Sequence, residues 1–242
     1  MGRFLIFVYG VVSYAIGLGG LVFFMLFIGG WDFLPFHIDS GTPGPTGTAL
    51  LINVGLIVAF GLQHTPMARP AFKKGWTTVI PKAAERSTYV LVSGILMFAI
   101  CFYWQTLSGT IWHYEHSTLR IATTTVQLLG WGMAVLASFL INHFELFGLQ
   151  QVYFNLINKP EPSSDYTERF LYKIVRHPLQ LGLLIGMWST PTMTMTHLML
   201  SATMTIYIFI GLHFEEKDLV ATLGEDYEEY RKRVRMLIPF PK

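Results

Sequence analysis

The stretch RHPLQLG, at residues 176–182, opens a segment in which ionisable groups stand at both ends of an apolar hairpin. Two short apolar runs follow it, separated by Thr190-Pro191-Thr192, and the second run ends in HFEE at residues 213–216. If the two runs form antiparallel helices, the ionisable groups at their outer ends meet at one membrane face. The sequence therefore predicts a helical hairpin with a polar site at one end.

The ends of this hairpin suit a ligand that carries both signs of charge. Pro178 fits the first turn of a helix, where free backbone N–H groups and the positive end of the helix dipole favour an anionic group. Glu215 and Glu216 would offer carboxylates to a cationic group, so a zwitterion is a reasonable ligand. The alternative is that Arg176 and His177 only flank a membrane span, as basic residues do, while the glutamates begin a solvated helix.

The composition is that of an integral membrane protein. Of the 242 residues, 52% are hydrophobic and only 13% are charged, and the mean hydropathy is +0.46, values outside the usual range for soluble domains. Three stretches contain no Lys, Arg, Asp or Glu, namely residues 4–28, 88–114 and 121–144. Each is long enough for a hydrocarbon core that needs about 20 residues.

Charge and cysteine content exclude several other classes of protein. The net charge of +2 is small and the basic residues flank apolar runs, so nothing indicates nucleic-acid binding. Cys101 is the single cysteine, which excludes an intramolecular disulfide and a cysteine-based metal site. The chain also lacks the Gly-x-Ser-x-Gly motif of many serine hydrolases.

The apolar segments predict an all-α, polytopic membrane helical bundle with five to six transmembrane segments. We expect spans at about 4–28, 49–64, 88–105 and 121–149, followed by the C-terminal hairpin at 179–190 and 196–213. The first hairpin segment is short for a full crossing. A charged helix is expected over 215–235, broken at Gly224, and its basic end at 231–233 suits anionic membrane lipids.

The basic residues orient the predicted bundle. Under this topology, all of the 17 Lys and Arg residues except Arg120 lie on one side of the membrane. The positive-inside rule makes that side cytoplasmic, together with both termini, the 66–87 loop and the C-terminal helix. We expect a single domain over residues 1–242, with four transmembrane helices in 1–149 and a ligand-binding C-terminal region in 150–242.

Ionisable residues concentrate at the predicted cytoplasmic ends of the spans, and such groups in a membrane protein are candidates for a functional site. They are His64, Arg69, Glu85, Arg86, His143, Glu145, Arg176, His177, His213, Glu215 and Glu216. Any single histidine could instead be an interfacial side chain without a role in catalysis, but four on one face favour a site. A metal site is disfavoured, because His143 and Glu145 are two residues apart and would point to different faces of a helix.

The C-terminal motifs resemble the signature of the isoprenylcysteine carboxyl methyltransferase and phospholipid methyltransferase superfamily. The residues that carry this resemblance are Arg176-His177-Pro178, Gly182, Glu215-Glu216, Leu219, Gly224, Tyr227, Tyr230, Arg233-Val234 and Pro239. Over most of its length the chain is similar to the bacterial methanethiol S-methyltransferase family, through QHTPMAR at 63–69, ERSTYV at 85–90, NHFELFG at 142–148 and TPTM at 190–193. Two positions depart from these patterns: Gln180 stands where the superfamily often has Tyr, and Glu145 where the thiol family favours Asp.

The resemblance implies a cofactor, an acceptor and a location. The cofactor would be S-adenosylmethionine and the acceptor a small thiol, methanethiol, which is converted to dimethyl sulfide at the cytoplasmic face of a bacterial inner membrane. The residues implied in cofactor binding are Arg176, His177, Pro178, Leu179, Gln180, Gly182, Glu215 and Glu216. A thiol is a weak nucleophile until it loses its proton. The candidates for the base, or for the group that orients it, are His64, His143 and Glu145, with Arg69 and Arg86 stabilising negative charge.

Other functions remain open at this point. Methylation of a lipid or of an isoprenylcysteine carboxyl group would use the same C-terminal motifs, and membrane reductases that bind NADPH have a similar C-terminal region. A transporter or channel is disfavoured, because the centres of the predicted spans carry no charge. The sequence leaves the oligomeric state open.

Overall fold

A computed structural model describes residues 2–31, 33–162 and 168–239. Within these residues the fold is helical, with one 3₁₀ turn at Phe170–Lys173 and two short strands, β1 (Thr110–His113) and β2 (Thr192–Thr194). The helices are α1 (Arg3–Ile28), α2 (Thr46–Ala68), α3 (Pro70–Trp76), α4 (Lys82–Tyr103), α5 (Ser117–Ile141), α6 (His143–Leu146), α7 (Leu149–Leu156), α8 (Pro178–Trp188), α9 (Met195–Leu223) and α10 (Glu225–Arg233).

Among the described residues, five helices are long and apolar enough to cross a membrane: α1, α2, α4, α5 and α9. The predicted polytopic helical bundle is therefore confirmed. Helix α8 is apolar but has only 11 residues, which at 1.5 Å per residue span about 16 Å, roughly half of a hydrocarbon core. The first half of the C-terminal hairpin is thus as short as the sequence indicates.

The chain divides into two compact units, and the first comprises the described parts of residues 1–107 and 142–165. In this unit α1 packs along α4, α7 packs against both of these helices, and α2 packs against α4. The close approach of α1 and α4 depends on glycine, because a Cβ at Gly94 would lie 2.6 Å from the Cα of Gly17. At the far end of α4, the buried Asn53 side chain binds both backbone groups of Gln105, at 2.9 and 2.8 Å.

The second unit comprises the described parts of residues 108–141 and 166–242. Here α5 packs against α8 so closely that a Cβ at Gly182 would lie 2.6 Å from the carbonyl oxygen of Gly130. The strands β1 and β2 pair in antiparallel fashion, with Trp112 opposite Met193. Helix α9 returns antiparallel to α8, since Trp188 at the end of α8 donates to Thr205, while His177 before α8 binds Glu216, further along α9.

Two predicted helix boundaries are wrong. The fourth span does not continue to residue 149, because α5 ends at Ile141 and Asn142 leaves the helical conformation with φ 177° and ψ 93°. The Asn142 side chain then accepts a hydrogen bond from the backbone N–H of Glu145 and caps the short helix α6. The charged helix also does not begin at residue 215, because α9 runs without a break to Leu223. The break at Gly224 is confirmed, with φ +61°.

The division of the chain at residue 149 stays a prediction. The boundaries of the two compact units lie at other positions in the chain, because residues 108–141 pack with the C-terminal part. In that unit α5 forms the packing surface for α8. The short helix that begins with Pro178 therefore packs against α5, which was expected to belong to the N-terminal group of four helices.

Candidate active site

Glu216 is the centre of a buried polar cluster in the second unit. Its carboxylate accepts two hydrogen bonds from Arg176, from Nε at 2.9 Å and from Nη2 at 3.0 Å. It also lies 2.7 Å from Nε2 of His177 and accepts a 2.8 Å hydrogen bond from the Tyr227 hydroxyl. Arg231 approaches from α10, with its Nε 3.0 Å from Glu216 Oε2. Four side chains therefore occupy this one carboxylate, which is 10% exposed.

The residues before α8 are fixed from the C-terminal side. The backbone N–H of Arg176 donates to the carbonyl of Arg235 at 2.8 Å, and that of His177 donates to the carbonyl of Met236 at 3.1 Å. The Arg176 guanidinium also donates to the carbonyl of Val234 at 2.5 Å. Since the Arg-His segment is held through its backbone as well as its side chains, the start of α8 has a defined position and direction.

Two buried tyrosines tie α10 to this cluster. Tyr227 binds Glu216, and Tyr230 donates to the carbonyl of Tyr172 at 2.6 Å. Burial and the neighbouring Glu216 carboxylate raise the pKa of Tyr227, so its hydroxyl remains a protonated donor. The basic end of α10 is partly engaged in ion pairs: besides Arg231 with Glu216, Arg233 binds Glu168 at 2.9 Å. The lipid contact expected for residues 231–233 stays a prediction.

Glu215 differs from its neighbour in being accessible. Its side chain is 45% exposed, against 10% for Glu216. It accepts one long hydrogen bond, 3.3 Å from Gln180 Nε2, and lies 4.0 Å from His177 Nδ1. A carboxylate has about four lone-pair sites, so Glu215 keeps capacity for a cationic ligand. Of the two adjacent glutamates, one maintains the cluster and the other faces outward from it.

The first turn of α8 lies beside Glu215. Pro178 is buried at the first helical position, where its missing N–H costs nothing, while Leu179 and Gln180 are partly exposed. Free N–H groups of such a turn favour an anionic group. Gly182 has a different role, because it lies against α5, where a Cβ would come 2.6 Å from both Ala134 N and Gly130 O. The structure thus explains Gly182 by helix packing.

In the first unit, His64 on α2 forms a buried network with α4. Its Nε2 lies 2.6 Å from the Tyr89 hydroxyl, and its Nδ1 lies 3.0 Å from the Ser93 hydroxyl. Phe60 stacks on the imidazole with a centroid distance of 4.9 Å. Arg86 lies over the Tyr89 ring, 4.7 Å from its centroid, and donates to the carbonyl of Leu146 at 2.7 Å. Two of the predicted residues, His64 and Arg86, therefore meet at one tyrosine.

His143 forms a second pair of histidine and tyrosine in the same unit. Its Nε2 lies 2.9 Å from the Tyr14 hydroxyl on α1, and Phe147 packs on its ring at 4.7 Å. Burial lowers the pKa of His143 below the ordinary value of 6.5. Phe147 also packs against the cluster that contains Tyr89, so one phenylalanine contacts both pairs.

Glu145 and Arg69 have local partners. Glu145 accepts a 3.1 Å hydrogen bond from the side chain of Asn142, which also donates to Gln150. Arg69 follows the end of α2, and its Nε donates to the carbonyl of Thr65 at 3.2 Å. The polar groups around Glu145 are thus amides, and its predicted role as a base or orienter stays a prediction.

Several residues of these clusters were not among the candidates from the sequence, chiefly Tyr14, Tyr89, Ser93, Tyr227 and Arg231. For Tyr89 and Ser93 a signal was present, because their spacing of four places both on the face of α4 that carries Arg86 three residues earlier. No such signal connects Tyr14 to His143, which lie 129 positions apart. Within the described residues, no group of three His, Cys, Asp or Glu side chains is placed to hold a metal ion.

Long apolar helices, together with a buried charged cluster at the start of a short apolar helix, define a polytopic membrane protein. No protein-family model matches the chain, and no solved structure matches it. Curated relatives do match the chain. The chain is 43% identical over 240 residues to the methanethiol S-methyltransferase of Crocosphaera subtropica, covering 99% of this chain and 94% of that protein.

The similarity extends to a further bacterium and, more weakly, to animal proteins. The methanethiol S-methyltransferase of Mycobacterium tuberculosis is 39% identical over 241 residues, which cover 100% of this chain and 98% of that protein. Nurim of Xenopus laevis is 27% identical over 175 residues, 69% of this chain and 61% of that protein. The chain belongs to the methanethiol S-methyltransferase family.

Proposed function

We propose that this protein transfers a methyl group from S-adenosylmethionine to methanethiol and so forms dimethyl sulfide. The observation that carries the proposal is the near full-length identity of 39–43% to the two bacterial relatives named methanethiol S-methyltransferase. The second unit supports it, because the half-exposed carboxylate of Glu215 lies beside the positive end of the α8 dipole, so both signs of charge are offered to a zwitterion.

The residues around the start of α8 fit the amino-acid end of S-adenosylmethionine, which carries an ammonium and a carboxylate. Glu215 would accept the ammonium, since its carboxylate is half exposed and only weakly engaged. The N–H groups of the first turn of α8, near Leu179 and Gln180, would receive the carboxylate. His177 and Arg176 would act less directly, because both bind Glu216 and fix the geometry of the turn.

When bound, S-adenosylmethionine supplies a methyl group on a positively charged sulfur, which is a strong electrophile. The protein then has two tasks, to place the acceptor in line with that methyl group and to keep water away. The acceptor must also lose its proton, because the thiolate is the nucleophile. We propose His64 and His143 for this task, with Arg86 favouring the negative charge.

We further propose that the protein lies in a bacterial inner membrane with its reactive side in the cytoplasm. The distribution of Lys and Arg residues supports this orientation. S-adenosylmethionine is a charged, polar molecule, so a site open to the compartment that contains it requires no transport of the cofactor.

Ligand-dependent melting of the detergent-purified protein tests the choice of cofactor. A ligand at 100 times its Kd stabilises a protein by about 2.7 kcal/mol, so S-adenosylmethionine should raise the melting temperature and NADPH should not. Acceptor choice is tested by supplying methanethiol, a phospholipid and a prenylated cysteine in parallel, with radiolabelled methyl donor. Label in dimethyl sulfide alone supports the proposal. Label in the lipid or in the prenylated cysteine, or stabilisation by NADPH alone, contradicts it.

A further inference from the structure

The proposed base His64 has both ring nitrogens engaged by neighbouring hydroxyl groups. Tyr89 lies 2.6 Å from Nε2 and Ser93 lies 3.0 Å from Nδ1, while Phe60 covers one face of the ring. An acceptor thiol that gives its proton to His64 would therefore have to pass it through one of these two hydroxyl groups. The geometry of the network decides between them.

The Ser93 hydroxyl has a single hydrogen. Its shortest hydrogen bond is the one that it donates to the backbone carbonyl of Tyr89, at 2.7 Å. Its oxygen then accepts the hydrogen on Nδ1 of His64. In that tautomer Nε2 carries a lone pair, so the Tyr89 hydroxyl is the donor to His64. Nδ1 of His64 therefore donates to Ser93, and Nε2, which faces Tyr89, is the nitrogen that can receive a proton.

The surroundings of Tyr89 suit a small thiol. A phenol oxygen that donates its hydrogen still has lone pairs to accept another. Tyr89 is buried in a cluster with Met67 and Val90, and Phe147 packs against that cluster, so the local surface is apolar and contains soft thioether and aromatic groups. The Arg86 guanidinium, 4.7 Å from the ring centroid of Tyr89, would stabilise a thiolate that forms beside the hydroxyl.

We propose that Tyr89 is a further catalytic residue, which takes the proton of the acceptor thiol while passing its own proton to His64. This inference rests on the proposed function and specifies how the acceptor is activated. The S–H bond breaks, its proton binds the Tyr89 oxygen, and the Tyr89 O–H proton moves to Nε2 of His64. The electron pair left on sulfur forms the new bond to the methyl group, and the bond between that methyl and the donor sulfur breaks. The imidazolium later returns its proton to water.

Charge balance is part of the proposal. Arg86 lies 4.7 Å from the centroid of the Tyr89 ring, and its positive charge would repel a positive His64. The thiolate that forms in the same step is negative, so the thiolate and the imidazolium together are neutral. The positive charge of Arg86 stabilises the thiolate. The proton transfer therefore leaves the net charge of the network unchanged, and the ion pair can form before the methyl group is attacked.

Hydroxyl deletion with a matched control tests the relay. Tyr89→Phe removes the proposed proton carrier, whereas Tyr9→Phe removes a partly buried hydroxyl on α1 that also binds α4, at Thr88, 2.9 Å away. Proton-transfer assistance is typically worth about 10²–10⁴-fold, so Tyr89→Phe should lose about that much turnover at neutral pH. Tyr9→Phe should retain turnover within a few-fold. The loss in Tyr89→Phe should shrink as the pH approaches the thiol pKa, because solution thiolate then needs no base.

A second measurement does not depend on turnover. With S-adenosylhomocysteine in place of the methyl donor, addition of methanethiol should produce the ultraviolet absorption of a thiolate in the wild-type protein and in Tyr9→Phe, but not in Tyr89→Phe. Equal turnover and equal thiolate signal in both tyrosine variants would overturn the relay. A loss in Tyr89→Phe that is independent of pH would also overturn it, since that pattern indicates a structural role. A wild-type protein that forms no dimethyl sulfide would instead overturn the proposed function.

Discussion

Arg176 and Glu216 form a two-point ion pair, with Nε 2.9 Å from Oε1 and Nη2 3.0 Å from Oε2. The pair joins the residues before α8 to the C-terminal part of α9, and both side chains are about nine-tenths buried. His177 and Tyr227 bind the same carboxylate, so Glu216 connects the side chains of the cluster to one another. Glu215, one position earlier, keeps its carboxylate half exposed.

Glu216→Gln should destabilise the protein. Removing one member of a buried ion pair leaves the other charge uncompensated, at a typical cost of about 3–5 kcal/mol. We expect a clear fall in the melting temperature in detergent, without ligand, relative to wild type. The matched variant is Glu215→Gln, which should melt close to wild type. Equal melting temperatures for Glu216→Gln and the wild type would show that the pair does not hold the cluster together.

Glu215→Gln should weaken cofactor binding while leaving the fold intact. Hydrogen bonds to charged groups contribute about 1.5–3 kcal/mol, and the half-exposed position of Glu215 argues for the lower end, or about tenfold in Kd. Isothermal titration calorimetry with S-adenosylmethionine measures this change. If affinity is unaltered in the folded variant, the ammonium of the ligand binds elsewhere.

The pair of glutamates illustrates what the sequence could and could not predict. Hydropathy and motif order were enough to predict the apolar helices, the hairpin and the cluster at its end. They did not distinguish Glu215 from Glu216, because adjacent residues on a helix point about 100° apart and the phase depends on where α9 begins. The helix runs without a break from Met195, and this determines which of the two glutamates points into the cluster. A helix start was expected at residue 215 instead.

The end of α5 shows a second limit. The apolar run continues past Ile141, so hydropathy alone extends the span to residue 149. The signal for the break is polar and local: Asn142 stands three residues before Glu145, a spacing typical of a helix N-terminus. The pairs His64 with Tyr89 and His143 with Tyr14 join different helices, so no local pattern reveals them.

Gly182→Ala should destabilise the second unit. The added methyl group would meet the backbone of α5 at 2.6 Å, and such overpacking typically costs about 1–3 kcal/mol. Gly132→Ala on α5 is the control, because a Cβ there meets nothing within 4 Å and alanine is the better helix former by about 1 kcal/mol. We expect a lower melting temperature for Gly182→Ala and an unchanged or higher one for Gly132→Ala. Similar behaviour of both variants would argue against the close packing of α5 and α8.

Protonation of His143 should oppose folding in mild acid. Because burial lowers its pKa in the folded state from 6.5, the unfolded chain binds more protons below about pH 6.5, and stability falls as the pH decreases towards the folded-state pKa. Well above pH 6.5 both states are neutral at this residue, so it contributes no pH dependence there. Melting temperatures between pH 7.5 and 5.5 should therefore fall more steeply in wild type than in His143→Asn. Parallel curves for the two proteins would contradict the lowered pKa.

The most direct measurement is the fate of a labelled methyl group. Purified protein is supplied with S-adenosylmethionine that carries a deuterated methyl group and with unlabelled methanethiol, and the headspace is analysed by gas chromatography and mass spectrometry. The account predicts dimethyl sulfide with one deuterated and one unlabelled methyl group, in amounts that depend on the protein and fall in Glu215→Gln when the cofactor is not saturating. Absence of this product from a folded protein that binds S-adenosylmethionine would contradict the proposed activity.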